Sequence, residues 1–564
     1  MKKIVSVLLT LLMIFSLCSV GVSAIGDIGN SNESIIVHSS RSQIPVVRIL
    51  GDGEPLYDAD QNKLIHIRSM TFGGSSDDDE DSDVLSSVAN ILLPFLIDGL
   101  LNDEWDAYYE NLQKEVSDLF GDIRLDGNGD PVPGTGISQA RKNEMEAAFK
   151  VDQKDKENGG RGYYQINDYR FWYDWRLDPV YTADLLHAHI KRVKTVTGSD
   201  KVSIMASCLG TIVTTAYITK YGTGDLHGVG FTGSVSGGAE ALSEAISGKF
   251  NIDGYAITRT LIDSDYIGEF NVDKFITSSI ELLSAAGVLD YLEEGVKETL
   301  YAKLVQGVTS ALALSTLFTY PTYWAAVSED DYDDAMLYVF GPEGSEKRQT
   351  YAGLIAKIEN YNNTVRKNYN ATIKSIGENK VRFGAVAKYG FQILPICESY
   401  DILSDQFVSV NHASFGATTS TIFDTLSDDY INERIEKGYA DYISPDKKID
   451  ASTCIYPETT WFMKNVSHSE YTAFERKLLY DVITATGEKV IKCGDTVDGL
   501  TYSRFLVYDY DTDVMATMTE ENCDTENWTA DEKLEKPEGT FAKLFVFLRA
   551  LITWFMDLFT FIKK

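Results

Sequence analysis

Blocks of apolar and polar residues alternate along this chain in a way that predicts buried strands separated by helices. Short apolar runs that are typical of strands lie at residues 44–50, 169–175, 201–206, 226–238 and 381–390. The segment TADLLHAHIKRVKTVTG (182–198) has helical periodicity and ends at Gly198, and the stretch after Gly210 turns helical as well. Because strands that alternate with helices are typical of a parallel sheet with right-handed crossovers, we expect an α/β fold.

A long helical segment interrupts this alternation. Residues 239–379 are largely helical in pattern, and we expect them to form a cap inserted into an α/β domain that covers residues 44–480. The apolar run VTSALALSTLF (308–318) within the cap is too short to span a membrane and is soon followed by Pro321.

The C-terminal part of the chain predicts two further units. Residues 481–536 include a stretch rich in Tyr, Thr and Val, which predicts a small β addition. Residues 540–564 predict an amphipathic helix whose few polar side chains share one narrow stripe. This helix either docks on the protein's own core or lies on a membrane surface, and its strongly apolar face favours the membrane. Arg549 and Asp557 argue against a full transmembrane span.

The N-terminus predicts export. Lys2 and Lys3 precede an apolar run over residues 4–20 and then small residues, as in a secretory signal peptide over 1–24. The polar residues 25–43 then form a leader, and the mature protein works outside the cytoplasm, at the cell surface or associated with a membrane.

Composition narrows the range of partners. The chain has 84 acidic and 51 basic side chains and a formal net charge of −33. Such a surface repels phosphate backbones, so nucleic acid is excluded as a partner. With 44% hydrophobic residues the chain can bury a sizeable core.

The stretch IMASCLGTI (204–212) carries the candidate chemistry, because it joins a predicted strand to a predicted helix. A nucleophile elbow at such a turn needs small residues two positions before and two positions after its tip. Cys208 meets this requirement with Ala206 and Gly210, whereas Ser207 would be flanked by larger side chains. The alternative is a cysteine that is simply buried as a small hydrophobic residue.

Partners for this nucleophile lie downstream, in the α/β-hydrolase order of nucleophile, acid and histidine. Asp405 follows the strand at 381–390, where the acid of this fold is found, and Asp401 is the reserve candidate. His468 lies at a strand-to-helix transition that suits a catalytic loop, although it could also be a surface histidine. His412 is too close to Asp405 in the chain to be brought over the elbow by a separate loop.

Two backbone N–H groups would form the oxyanion hole. Leu209 follows the nucleophile directly, and Gly51 or Asp52 supplies the second donor from the loop after the first strand.

The cysteine count is consistent with a thiol at the elbow. Five cysteines remain after the signal peptide, and in an oxidising compartment an odd number indicates one thiol outside the disulfides. Cys397–Cys454 and Cys493–Cys523 are plausible disulfides, because each pair flanks one local segment, and Cys208 is then left over.

Together these residues resemble the lecithin:cholesterol acyltransferase-like α/β hydrolases. The match covers roughly residues 44–475, and YDWRLDP (173–179) carries it most specifically. Similar segments lie at IPVVRILGDGEPLY, GFTGSVSGGAEAL and FTYPTYWAAV. The sequence departs from the family at the elbow, where Cys208 replaces serine and Ala206 replaces glycine, and in the Gly-Gly turn, which lacks its proline.

The resemblance implies a secreted lipid acyl hydrolase or acyltransferase that acts on a lipid or acyl-ester substrate. With cysteine as nucleophile, Cys208 and His468 would form a thiolate–imidazolium pair oriented by Asp405, and catalysis would pass through an acyl-thioester. The alternative is a catalytically inactive protein of the same fold that binds lipid or the cell envelope. We expect no cofactor and no metal, since DADQN (58–62) and DGNGD (126–130) lack the remaining ligands of a calcium loop.

Overall fold

The computed structural model describes residues 42–523 except 52–54, 65–103, 159–162, 250–316, 394–396, 489, 511 and 513. The predicted signal peptide, nearly all of the predicted leader, the middle of the predicted cap and the helix predicted at 540–564 lie outside the described residues. Among the helices described, none combines the length and apolar character needed to cross a bilayer.

A mostly parallel sheet of eight strands forms the centre of the protein, in the order β12-β11-β8-β5-β4-β3-β1-β2. Within it every neighbouring pair is parallel except β11 and β12. The described strands are β1 Val46–Ile49, β2 Tyr169–Arg170, β3 Val202–Cys208, β4 Leu226–Ser234, β5 Arg382–Tyr389, β6 Thr418–Thr419, β7 Ile449–Asp450, β8 Thr460–Lys464, β9 Thr496–Val497, β10 Leu500–Thr501, β11 Phe505–Asp509 and β12 Val514–Thr517.

Helices cover this sheet, which confirms the predicted α/β class. The described helices are α1 Trp105–Phe120, α2 Gln139–Glu157, α3 Pro179–Thr197, α4 Leu209–Tyr221, α5 Glu240–Ser247, α6 Pro321–Trp324, α7 Tyr332–Phe340, α8 Glu346–Thr350, α9 Ala352–Thr364, α10 Tyr369–Glu378, α11 Val410–Ala413, α12 Asp428–Glu436 and α13 Ala473–Thr484.

The alternation of side chains along the strands creates two cores, one on each face of the sheet. In β3, Ile204 belongs to the core that includes α4, whereas Met205 belongs to the core that includes α13. Since both faces are buried, the central strands β3, β4 and β5 carry mostly apolar or small side chains on both faces, as parallel strands covered on both sides usually do.

The two ends of helix α3 are set by residues next to it in the sequence. The Asp178 side chain accepts a hydrogen bond from the Val180 N–H, and Pro179 occupies the first helical position. Gly198 ends the helix with a φ of 72°, a left-handed conformation that glycine adopts without steric cost. The helix therefore begins three residues before the predicted start and ends where the sequence predicts.

Two segments differ from the predicted pattern. Only Tyr169–Arg170 of the run 169–175 forms a strand, and it pairs with Val47 and Arg48 of β1. The segment 481–536, predicted as a small addition, supplies β11 and β12 to the edge of the central sheet, where β11 pairs with β8.

Candidate active site

Cys208 occupies the sharp turn between β3 and α4. It is the last residue of the strand and the N-cap of the helix, with φ 48° and ψ −128°. A positive φ is uncommon for a residue other than glycine, and such strain persists only where the surrounding structure enforces it. This is the geometry of a nucleophile elbow, in which the side chain at the tip leaves the sheet at the start of a helix.

A close backbone contact explains one of the two small residues that flank the turn, and the other lies between two strands. A Cβ atom on Gly210 would lie 2.6 Å from the carbonyl oxygen of Ile49, closer than real Cβ contacts allow. Ala206 is fully buried between two strands, beside Ile49 on β1 and Phe231 on β4. The helix therefore starts directly against the end of β1, and this proximity brings the loop after β1 to the elbow.

Thr211 links the strained turn at Cys208 to the backbone just after β4. Its hydroxyl donates a hydrogen bond to the Cys208 carbonyl at 2.6 Å and accepts one from the Val235 N–H at 3.2 Å. The side chain is fully buried. One hydroxyl thus holds the elbow and the turn after β4 together.

We expect Thr211→Val to lower the free energy of unfolding by about 1–3 kcal/mol, since it leaves a buried carbonyl and a buried N–H without this partner. It should also slow alkylation of Cys208, because the elbow loses its tie to β4. Thr215→Val is the matched control: Thr215 is equally buried, and its hydroxyl donates to the Thr211 carbonyl one turn earlier in α4. Equal alkylation rates in the two variants would contradict the proposed role of Thr211.

His468 and Asp405 form a buried pair. The His468 Nδ1 lies 2.7 Å from the Asp405 Oδ2, and the His468 N–H donates to the Asp405 carbonyl at 2.8 Å. The other carboxylate oxygen accepts the N–H groups of Phe407 at 3.1 Å and Val408 at 2.9 Å. Both carboxylate oxygens are therefore held, and the imidazole is fixed by both its side chain and its backbone.

This contact sets the role of each ring nitrogen. A carboxylate only accepts hydrogen bonds, so Nδ1 carries the proton in neutral His468. The opposite nitrogen, Nε2, is buried and forms no hydrogen bond within the part of the chain that the structure describes. Nε2 is thus the nitrogen that can take a proton from a neighbouring group.

A bulge in β4 shows that this pair lies beside the elbow. Ser207 pairs with Thr232 and Cys208 with Ser234, so Gly233 is left over between them. A Cβ atom on Gly233, whose φ is 49°, would lie 3.1 Å from the His468 Cε1 and 3.7 Å from the Asp405 Oδ2. The strands β3 and β4 are adjacent, roughly 4.8 Å apart. His468 and Asp405 therefore contact β4 at the position next to Cys208.

The alternative candidates are placed elsewhere. Asp401 is half-buried, and its carbonyl accepts the Ile422 N–H at 2.8 Å, whereas His468 pairs with Asp405. The His412 Nδ1 lies 2.8 Å from a Glu240 carboxylate oxygen. Ser207 lies within β3, one residue before the turn.

Of the predicted oxyanion donors, Leu209 and Gly51 are described and Asp52 lies outside the described residues. Leu209 is the first residue of α4, where N–H groups have no partner within the helix. Gly51 is buried just beyond β1, and the Tyr173 hydroxyl donates to the preceding Leu50 carbonyl at 2.7 Å. Tyr173 therefore anchors the loop that would supply the second donor.

The rest of YDWRLDP is structural. The fully buried Arg176 bonds to Asp174 at 2.6 and 3.0 Å and to the Ile123 carbonyl at 2.9 Å. The Trp175 ring packs against Tyr320 and Tyr323 of the FTYPTYW segment. This motif thus joins the edge of the sheet to the segment 318–324, which lies in the predicted cap.

The five described cysteines are free in this structure, and the pairs Cys397–Cys454 and Cys493–Cys523 stay predictions. The Cys493 Sγ donates to the Thr460 carbonyl at 3.3 Å and the Cys523 Sγ to the Glu520 carbonyl at 3.5 Å. Cys397 lies near Glu240 and Glu244, whereas Cys454 lies near Cys493, so proximity in the chain is a poor guide to the pairing.

Burial raises the pKa of three of these thiols. The pKa of Cys397 lies well above its ordinary value, and the values for Cys454 and Cys493 rise to about 12. These groups stay protonated at neutral pH, so an alkylating reagent discriminates strongly against them.

The two acidic turns are closed by their own backbone. The Asp58 carboxylate accepts the N–H groups of Asp60 and Asn62, and the Asp126 carboxylate accepts those of Asn128 and Asp130. Across the described ranges, no group of three or more His, Cys, Asp and Glu side chains is arranged to hold a metal ion.

Comparisons with protein-family models, with characterised proteins and with solved structures found no match to this chain.

Proposed function

We propose that this protein is an acyl hydrolase or acyltransferase with an α/β-hydrolase fold, and that Cys208, His468 and Asp405 carry its chemistry. The observation that supports this most is the strained turn at Cys208, which lies beside a buried histidine–carboxylate pair. A strained residue, an oriented base and a carboxylate behind that base are the parts of a nucleophilic triad.

In the proposed reaction, His468 Nε2 accepts the proton of the Cys208 thiol. The thiolate attacks the acyl carbonyl carbon, and the carbonyl electron pair moves to oxygen, where the N–H groups of Leu209 and Gly51 stabilise it. The positive end of α4 also favours negative charge at this point. As the carbonyl reforms, the alkoxide leaves with the proton from the His468 imidazolium, and the acyl group remains on Cys208 as a thioester.

Release of the acyl group repeats these steps in reverse. His468 takes a proton from water or from another acceptor, which attacks the thioester carbonyl, and the Cys208 thiolate leaves and regains a proton. Water gives hydrolysis, and an alcohol or amine gives acyl transfer. Thioesters react readily with amines and thiols, so a cysteine nucleophile suits acyl transfer at least as well as hydrolysis.

The proposed substrate is a lipid or other acyl ester outside the cytoplasm. This proposal rests on the resemblance to lecithin:cholesterol acyltransferase-like hydrolases, on the predicted signal peptide at 1–24 and on the predicted membrane-surface helix at 540–564.

Covalent labelling tests the proposal. We expect an activated acyl ester, a lipid-like fluorophosphonate or iodoacetamide to modify Cys208, with the adduct located by mass spectrometry. The raised pKa of Cys397, Cys454 and Cys493 keeps background labelling low at pH 7. Cys208→Ala should abolish turnover of the activated ester, by roughly 10⁴-fold or more.

Ser207→Ala is the matched control, because Ser207 is the adjacent buried residue and lies outside the proposed triad. This variant should keep its labelling and turnover. Full activity in Cys208→Ala would overturn the assignment, and lipid binding without turnover in the wild-type protein would favour an inactive binding protein.

A further inference from the structure

We propose that Glu240 is a positioning residue that holds the catalytic acid from the side of the predicted cap. This inference rests on the proposed function. Glu240 is the first residue of α5, the helix that follows β4 and begins the segment predicted as the cap. It lies far from Asp405 in the chain, yet it contacts the loop that carries Asp405.

Each oxygen of the Glu240 carboxylate has its own partner on that loop. One oxygen accepts the Ser409 N–H at 2.8 Å, and the other lies 2.8 Å from the His412 Nδ1. The backbone adds a third contact, since the Ala241 N–H donates to the Phe407 carbonyl at 3.3 Å. The start of α5 therefore holds residues 407–412 at three points.

The same loop residues orient the catalytic acid. The N–H groups of Phe407 and Val408 donate to the Asp405 Oδ1, and the Asp405 N–H donates to the Val408 carbonyl at 3.3 Å. Gln406 between them has a φ of 86°, so this tight turn is strained and depends on outside support. A displacement of residues 407–409 would rotate the carboxylate that faces His468.

Charge strengthens the contact between Glu240 and His412. Burial acts to raise the pKa of Glu240, but the charge of His412 and the hydrogen bonds from Ser409 outweigh it and leave the pKa below its ordinary value. Burial and the charge of Arg366 act to lower the pKa of His412, but Glu240, with a smaller contribution from Asp330, raises it overall. Each group thus favours the charged form of the other.

Glu244 provides a matched control on the same helix. It lies one turn further along α5, is buried where Glu240 is half-buried, and accepts a backbone N–H at 3.2 Å, but that N–H belongs to Ser399. Glu244→Ala and Glu240→Ala thus remove the same group from the same helix, and only the latter removes a contact to residues 405–412.

The test is the pH profile of Cys208 alkylation by iodoacetamide, because Asp405 stabilises the imidazolium that accompanies the thiolate. We expect Glu240→Ala to move the midpoint of the profile upward by about one pH unit and to slow alkylation at neutral pH by about tenfold. Glu240→Gln, which keeps an acceptor for the Ser409 N–H but loses the charge, should show a smaller shift. Glu244→Ala should keep the wild-type profile.

Melting temperatures of all variants separate a general loss of stability from this specific effect, and Glu240→Gln serves if the alanine variant does not fold. A wild-type profile in both Glu240 variants would overturn the positioning role while leaving the proposed function intact. Wild-type protein whose Cys208 is not alkylated would instead overturn the proposed function.

Discussion

Replacing His468 by alanine should lower the rate of acyl-ester turnover by roughly 10⁴- to 10⁶-fold. The variant removes the nitrogen that takes the proton from Cys208 and returns it to the leaving group. The measurement is steady-state turnover of an activated acyl ester, together with the rate of Cys208 alkylation at neutral pH. Alkylation should fall as well, because the thiolate loses its neighbouring imidazolium.

His227→Ala is the control for this prediction. His227 lies near the start of β4, at the end opposite to Gly233, and its Nε2 contacts the Ala485 carbonyl at 2.8 Å. Loss of this imidazole should leave turnover of the folded protein close to that of the wild type. Similar rates in His468→Ala and His227→Ala would remove His468 from the mechanism.

The elbow is predictable from sequence because its constraints are local. The tip, its two small neighbours and the change from strand to helix all lie within nine residues, 204–212. The structure supplies the reason for one neighbour, since Gly210 packs against the backbone of β1. A requirement for one small residue at a fixed spacing survives in the sequence as a recognisable pattern.

The pairing of the candidate acid with the candidate histidine can also be predicted from sequence, because the loops that follow parallel strands lie at one edge of the sheet. Asp405 follows β5 and His468 follows β8, and these two strands are neighbours in the sheet. Their loops therefore meet, which is why His468 contacts Asp405 whereas His412 does not.

Contacts that join distant segments leave no such pattern. Thr211 bonds to Val235, and Glu240 bonds to Ser409, and in each case one ordinary polar residue meets a backbone N–H. Gly233 also could not be singled out from sequence, because it is distinguished only by the bulge in the pairing of β3 and β4. These residues become visible when the strand register is known.

The cysteines show the same dependence on tertiary structure. Pairing Cys397 with Cys454 and Cys493 with Cys523 assumed that neighbours in sequence are neighbours in space. The fold instead brings Cys493 to the strand that begins at Thr460, near Cys454. The thiol at the elbow is thus distinguished by its strained turn and not by elimination of the other four.

Gly210→Ala should both destabilise the protein and disrupt the elbow. The added Cβ would lie 2.6 Å from the Ile49 carbonyl oxygen and 3.0 Å from its carbonyl carbon, both of them backbone atoms. Because Ile49 is fully buried and its strand is paired with β3, this backbone cannot move freely, and we expect the free energy of unfolding to fall by about 3 kcal/mol. Urea unfolding measures this change, and alkylation of Cys208 in the folded protein measures the effect on the elbow.

Alanine variants of two other glycines serve as controls that separate the loss of stability from the change at the elbow. Gly224 is exposed and has open space where a Cβ would lie, so Gly224→Ala should change stability by less than about 0.5 kcal/mol. A Cβ atom on Gly228 would lie 2.4 Å from the Ile483 carbonyl oxygen, near the start of β4 and away from the elbow. Gly228→Ala should therefore destabilise like Gly210→Ala while its folded fraction keeps the wild-type alkylation rate. If Gly210→Ala behaved like Gly224→Ala in both measurements, the close approach of α4 to β1 would not be what shapes the elbow.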